Sequence, residues 1–248
     1  MDHSSVIETI LEHRSIRRFT DQALTDDQVR LLVECAQAAS TSSFTQSYSI
    51  IGIDDPAIKK QLRPIAYNAP YVEHNGYFFV FVADQYRNQE IAHKAGKDAE
   101  VLDTTQRLIV ALGDAAFAAQ NMAIAAESLG LGICYIGSIQ NEIERTAKIL
   151  DLPERTFPIF GLAVGYPAHQ PEKKPRLPFD IVFHKNHYQR KLADDALKTY
   201  DQTVSAYYRT RTGNQRDDTW SSEIANGLDA PARMRLKPFL DKQQLGRR

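Results

Sequence analysis

Apolar and polar positions alternate along this chain in two rhythms, and the rhythms predict its elements. Near the N-terminus, Ser5 and Glu8 have the spacing of a capping box, and Val6, Ile7, Ile10 and Leu11 follow on a helical face. A second box, Thr25 with Gln28, precedes Val29, Leu32, Val33, Ala36 and Ala39 at helical spacing. Asp55 and Pro56 mark the cap and first turn of a short helix to Leu62. From Asp98 to Leu129 the pattern predicts one long helix, ended by Gly130 and Gly132. Leu108, Leu112, Ala115, Ala119, Met122, Ala126 and Leu129 form its stripe, and Asp114, Gln120 and Asn121 break the apolar run. Its alanines allow close approach of another backbone, in a core or a dimer interface. Asn141 is placed to cap a further helix reaching Leu150.

Four segments read as strands: Tyr48–Ile53, Tyr77–Ala83, Ile133–Ile136 and Phe157–Tyr166. Tyr77–Ala83 is apolar on both faces, as a buried strand should be. Long segments separate most strands and hairpin signals are absent, so the order of elements predicts a three-layer α/β or α+β arrangement. Ser40–Ser47 reads as a hydroxyl-rich loop, and His169–Pro178 as a basic, proline-rich one. Composition shifts after Pro178. Residues 1–178 read as the main body, and 179–248 as a polar extension of the same domain that wraps it.

The length, 248 residues, and the 43% apolar content suit a sizeable core. The net charge of −1 gives no bulk attraction to nucleic acid or anionic membrane, so any anion site must be a local cluster. Cys35 and Cys134 read as free thiols of a cytoplasmic protein, Cys134 as a small buried hydrophobe. Met1–Ser4 lack the basic start of a secretory signal, and the longest apolar run, Phe78–Ala83, is too short to span a membrane.

Five local clusters carry candidate chemistry. His13, Arg14, Ser15, Arg17 and Arg18 crowd the end of the first helix, and arginine forks match phosphate oxygens and carbonyl edges. Ser42, Ser43, Thr45 and Gln46 offer short donors in one loop. Lys173, Lys174 and Arg176 are stiffened by Pro175 and Pro178. Tyr135, Ile136, Gly137 and Ser138 end a strand, where a glycine admits a ligand close to the backbone. Tyr207 to Arg216 is a basic, aromatic, loop-like stretch containing Arg211. An ordinary solvated surface accounts for most of these taken singly. Gly130-Leu131-Gly132 follows a helix and not a strand, so it does not mark a dinucleotide fold. There is no P-loop, nucleophile elbow or zinc-protease motif, and His184 with His187 is an incidental pair.

The clusters occur in a set order: HRSIRRF (13–19), SSF-x-Q (42–46), AAESLGLG-x-x-YIG (125–137), FGL-x-x-G-x-P (160–167), KPRLP (174–178) and RDDTW (216–220). Together they resemble the nitroreductase family, in its branch of NADPH-dependent oxygen-insensitive nitroreductases and NADPH–flavin oxidoreductases. The resemblance implies an α+β, three-layer α-β-α fold with a central mixed or antiparallel sheet. It implies a homodimer in which both protomers contact each FMN and the C-terminal extension embraces the partner. Position by position it makes His13, Arg14, Ser15 and Arg17 FMN ligands, with Arg17 near the ring edge where negative charge gathers. Ser42, Ser43 and Gln46 become partner-side or ring-edge contacts. Tyr135, Ile136, Gly137 and Ser138 border the ring face, Lys174 and Arg176 hold the phosphate or ribityl chain, and Arg211 and Arg216 grip the NADPH 2′-phosphate.

Two positions depart from the family pattern. Tyr67-Asn68-Ala69-Pro70 stands where a glutamine commonly reaches the flavin, so that either Asn68 substitutes or the contact is absent, and Ser138 replaces a glycine. The resemblance implies a ping-pong oxidoreductase that moves hydride from NADPH (or NADH) through FMN N5 to nitroaromatics, quinones, azo compounds or free flavin. The alternatives are a dehalogenase-like flavoenzyme and a flavin-binding sensor or carrier that catalyses nothing.

Overall fold

A computed structural model describes residues 5–190, 194–228 and 233–248. Met1–Ser4, where a signal segment was not expected, lie outside the described residues. The helices are α1 (Ser5–Leu11), α2 (Asp26–Gln37), α3 (Pro56–Leu62), α4 (Pro70–Glu73), α5 (Tyr86–Lys94), α6 (Thr105–Ser128), α7 (Ile143–Ile149), α8 (Phe179–Val182), α9 (Asp194–Thr210), α10 (Trp220–Leu228) and α11 (Leu236–Lys242). The strands are β1 (Tyr48–Ile53), β2 (Tyr77–Asp84), β3 (Gly132–Ile136) and β4 (Thr156–Gly165). The chain divides into two compact units. One holds the described residues up to His169 together with Arg233–Arg248, and the other those from Gln170 onward to residue 228.

In the first unit the four strands pair antiparallel in the order β1-β2-β4-β3. Strand β2 lies inside, and its period of two separates two cores. Phe79 and Phe81 face α2 and α6 together with Leu162, Val164 and Ile133. Phe78, Val80 and Val82 face the opposite way, onto Leu62 of α3 and Val72 of α4. The result is the expected helix–sheet–helix sandwich. A third cluster joins Leu108 and Ala111 of α6 to Phe157, and to Phe239 and Leu245 from the end of the chain. The stretch after residue 178 is therefore not uniform: its last sixteen residues, 233–248, pack within the first unit.

Local chemistry explains the boundaries that hold and those that move. Thr25 and Gln28 form the reciprocal capping box, and Asp55 accepts from the Ala57 N–H ahead of Pro56. Ser5 is already helical. The single helix expected over 98–129 is instead a 3-10 turn, Glu100–Asp103, followed by α6. Thr104 caps α6 in an extended conformation, and the buried Asp103 carboxylate turns to Arg155 at 2.5 Å. Gly130, at φ +76°, ends α6, and the Leu131 N–H returns to the Ala126 carbonyl. Gly132 instead opens β3. Asn141 does not cap α7, because its side-chain amide donates to the Ile65 carbonyl. Tyr207–Thr210, read as loop, are the last turn of α9.

Helix α6 is long and apolar enough to cross a membrane by length and composition alone. Its apolar stripe, however, forms the core of the first unit.

Candidate functional site

Strand β3, an edge of the sheet, assembles the first cluster. Ser15 bridges Ile133 in parallel, and the Ile16 N–H donates to the Ile133 carbonyl at 2.8 Å. Gly132 makes this approach possible. A Cβ there would sit 2.5 Å from Cγ1 of Ile16, so only glycine lets the 13–17 segment lie along the strand. Arg17 consequently reaches Cys134, whose thiol burial pushes up while the guanidinium pulls it down by charge and hydrogen bond. No carboxylate pairs with Arg17 among the described residues. His13 Nδ1 lies 2.7 Å from Oε1 of Glu127, near the C-terminal end of α6. Arg14 instead pairs with Glu12, two residues away, at 2.8 Å.

The strand then delivers Tyr135, Ile136, Gly137 and Ser138. Tyr135 is partly exposed, packs edge-on to Phe160, and donates its hydroxyl to Gln120 of α6. Burial first, then the Glu127 charge, raises its phenol above the ordinary range. Ile136 is buried in the core, so only its backbone is available. Gly137 has nothing within 4 Å of where a Cβ would be, leaving the strand end open. The 13–17 segment and 135–138 are thus brought together along one strand.

The 42–46 loop lies elsewhere on α6. Asp114, 1% exposed, accepts the Ser42 N–H at 2.9 Å and the Ser47 N–H at 3.0 Å with its two oxygens. Between those anchors Ser43, Phe44 and Gln46 all take positive φ, near +50°. Each such residue costs on the order of 1 kcal/mol or more, so the loop keeps its shape only because its surroundings impose it. Arg87 adds bonds to the Gln46 and Tyr48 carbonyls. Phe44 is left 83% exposed. Along α6, Asp114 and Glu127 are about 20 Å apart at the usual helical rise. This distance separates the loop from the His13 cluster within the chain. Asn68, also at positive φ, sits on an exposed turn before α4 and uses its carbonyl for Arg63.

In the second unit, Lys174, Arg211 and Arg216 gather on the ring of Tyr208. Arg216 is held by Glu223 through two bonds of 2.8 and 2.7 Å. Arg176 donates to the Lys174 carbonyl. A cavity of about 840 Å³ is lined by Leu177, Phe179, Val182, Phe183, Tyr200 and Trp220, with Lys174 and Arg176 beside them.

Asp114, Glu127 and Gln120 were not among the expected site residues. Asp114 had left a trace, a lone carboxylate interrupting an apolar helical stripe. Glu127 lay inside a recognised motif, but its partner is 114 positions away.

Residues 10–166 match the nitroreductase family, and 174–248 match the C-terminal domain of that family. An FMN reductase (NADPH) of Bacillus subtilis is 51% identical over 243 residues, covering 97% of this chain and 98% of the relative. An NADPH-dependent oxidoreductase of Staphylococcus haemolyticus is 45% identical, with 97% of each chain covered. Among solved structures, a Bacillus subtilis nitroreductase superposes with a TM-score of 0.95 at 50% identity, covering 98% of this chain and all of that one. A Vibrio harveyi NADPH:FMN oxidoreductase superposes at 0.90 with 38% identity, covering 99% and 100%. Matched in both of its segments and superposed on solved members along nearly its whole length, the chain belongs to the nitroreductase family.

Proposed function

We infer that this protein is an FMN-dependent NADPH oxidoreductase. The observation that carries the reading is the edge of β3, where Ser15 bridges Ile133 and Arg17, with no carboxylate partner among the described residues, reaches Cys134 on the strand that runs on to the open Gly137. That donor set fits an electron-rich heterocycle with carbonyl edges. His13, Arg14, Ser15 and Arg17 would hold FMN together with Tyr135, the Ile136 backbone, Gly137 and Ser138. Bound FMN supplies hydride exchange at N5, between NADPH and an acceptor that uses the same face in turn.

The chain's own part is binding and electrostatics. Arg17 favours negative charge on a bound ring and so raises its reduction potential. Glu127 fixes the His13 imidazole by accepting at Nδ1, leaving Nε2 for a ligand. Lys174 and Arg176 are cations for a flavin phosphate, and Arg211 is the better candidate for the NADPH 2′-phosphate, since Glu223 already neutralises Arg216.

Ser42, Ser43 and Gln46 are too far along α6 from His13 to serve the same flavin from one protomer. We read them as the partner's contribution within a homodimer. Exposed Ile109 and Phe117 on α6, and Val6, Ile10 and Leu11 on α1, support that reading. Nitroaromatics, quinones, azo compounds and free flavin are the acceptors proposed.

The purified protein should be yellow, or turn yellow with added FMN, and should bleach when NADPH is added without oxygen. A colourless protein that ignores FMN defeats the flavin reading. A yellow protein that NADPH leaves yellow supports a carrier instead.

A further inference from the structure

Tyr208, on the last turn of α9, is 2% exposed, yet three cations meet on its ring. The guanidinium carbon of Arg216 is 4.0 Å from the ring centre, that of Arg211 4.6 Å, and Lys174 Nζ 5.4 Å. Their partners differ. Arg216 is paired with Glu223 and lies 3.2 Å from Asp218. The Arg211 guanidinium donates to the Asn214 carbonyl, and no carboxylate pairs with it or with Lys174 among the described residues.

The backbone folds back to the same place. The Arg216 N–H donates to the Tyr208 carbonyl at 3.3 Å and the Arg211 N–H to that of Tyr207 at 3.0 Å. Ser205 donates to Asp217, and the Thr212 N–H to Glu172. Segment 211–217 is therefore pinned against α9, with Tyr208 beneath its arginines.

Mutually repelling cations need something negative to lie on. The face of the phenol ring supplies it without neutralising them, as a carboxylate would. Burial pushes the Tyr208 phenol up. Hydrogen bonds from Lys174 and Arg216, with their charges, outweigh burial and bring it below the usual range. The hydroxyl thus works in the same sense as the ring.

We propose that Tyr208 is the positioning residue of the pyridine-nucleotide site: its ring holds the Arg211 guanidinium in place, without a carboxylate partner among the described residues, for a 2′-phosphate, and so sets the preference for NADPH over NADH. The proposal rests on the reading of Arg211 as the 2′-phosphate ligand.

The test is steady-state kinetics with each nucleotide, FMN in excess, on Arg211→Ala, Tyr208→Leu and Tyr208→Phe. Arg211→Ala should raise KM for NADPH about tenfold or more, the loss of one charge-assisted contact. Tyr208→Leu should raise it about fivefold, with KM for NADH and kcat at saturating NADPH unchanged. Tyr208→Phe keeps the ring and should fall between Leu and the parent. If Arg211→Ala raises KM for NADPH and Tyr208→Leu does not, the role of Tyr208 is overturned and the 2′-phosphate reading stands. If Arg211→Ala has no effect, both fail. Equal rises for both nucleotides in Tyr208→Leu make the residue merely structural and also overturn the proposal. Should Tyr208→Leu not fold, Tyr208→Met removes the ring at closer volume and decides in its place, since an unchanged ratio of the two KM values there counts against the proposal.

Discussion

A carboxylate cut off from water must be matched by donors, and Asp114 is matched by two backbone N–H groups of one loop. Asp114→Asn keeps the shape but turns an NH₂ toward one of those donors. Thermal unfolding should show a loss of about 1–3 kcal/mol. FMN affinity, followed by flavin fluorescence, should fall as well, because the left-handed residues Ser43, Phe44 and Gln46 lose their restraint. If the Asp114→Asn variant kept parent-like flavin affinity, that loop would have no part in holding the cofactor. Cys134 gives a second test at this scale. Burial outweighs the pull of Arg17 and keeps the thiol protonated. In mildly alkaline solution iodoacetamide should leave Cys134 unmodified in the folded protein and alkylate it after denaturation. The sign for stability follows. A thiol that titrates higher when folded contributes fully below its unfolded value, and that contribution is lost as pH climbs through the folded one.

The sheet was legible in the sequence because its information is local. Apolar runs flanked by turns located all four strands, and capping chemistry located α2 and α3. What escaped depends on distant partners. Nothing near Asp103 indicates that Arg155 draws it out of helical register, and nothing near Asn141 points to Ile65. Half of the candidate site was equally visible: motif order identified the 13–17 and 135–138 segments, and β3 joins them. The helix side chains that orient the site were hidden, since Glu127 and Asp114 act on residues 114 and 72 positions away. The return of residues 233–248 to the first unit was hidden for the same reason. Phe239 packs there against Phe157 at 6.2 Å between ring centres. Phe239→Ala should cost about 3–5 kcal/mol in urea denaturation, the usual range for a buried aromatic. Below the unfolding transition it should leave FMN affinity intact, since it lies in a different cluster from β3.

For the whole molecule, the distance along α6 makes assembly and cofactor binding one question. If the 42–46 loop serves the partner's flavin, a monomer has an incomplete site. Phe117, 59% exposed on α6, is the residue to change. Phe117→Lys should shift sedimentation velocity toward monomer and weaken FMN binding in parallel. A monomer that binds FMN as tightly as the parent would remove the need for two copies. The Asp114 anchor also bears on how the protein opens. Loop amides ordinarily exchange with solvent deuterium within the fastest class. Those of Ser42 and Ser47 are bonded to a buried helical carboxylate, so they are released only when the middle of that helix opens. They should exchange on its slow timescale, two protected positions flanking a loop that leaves Phe44 exposed.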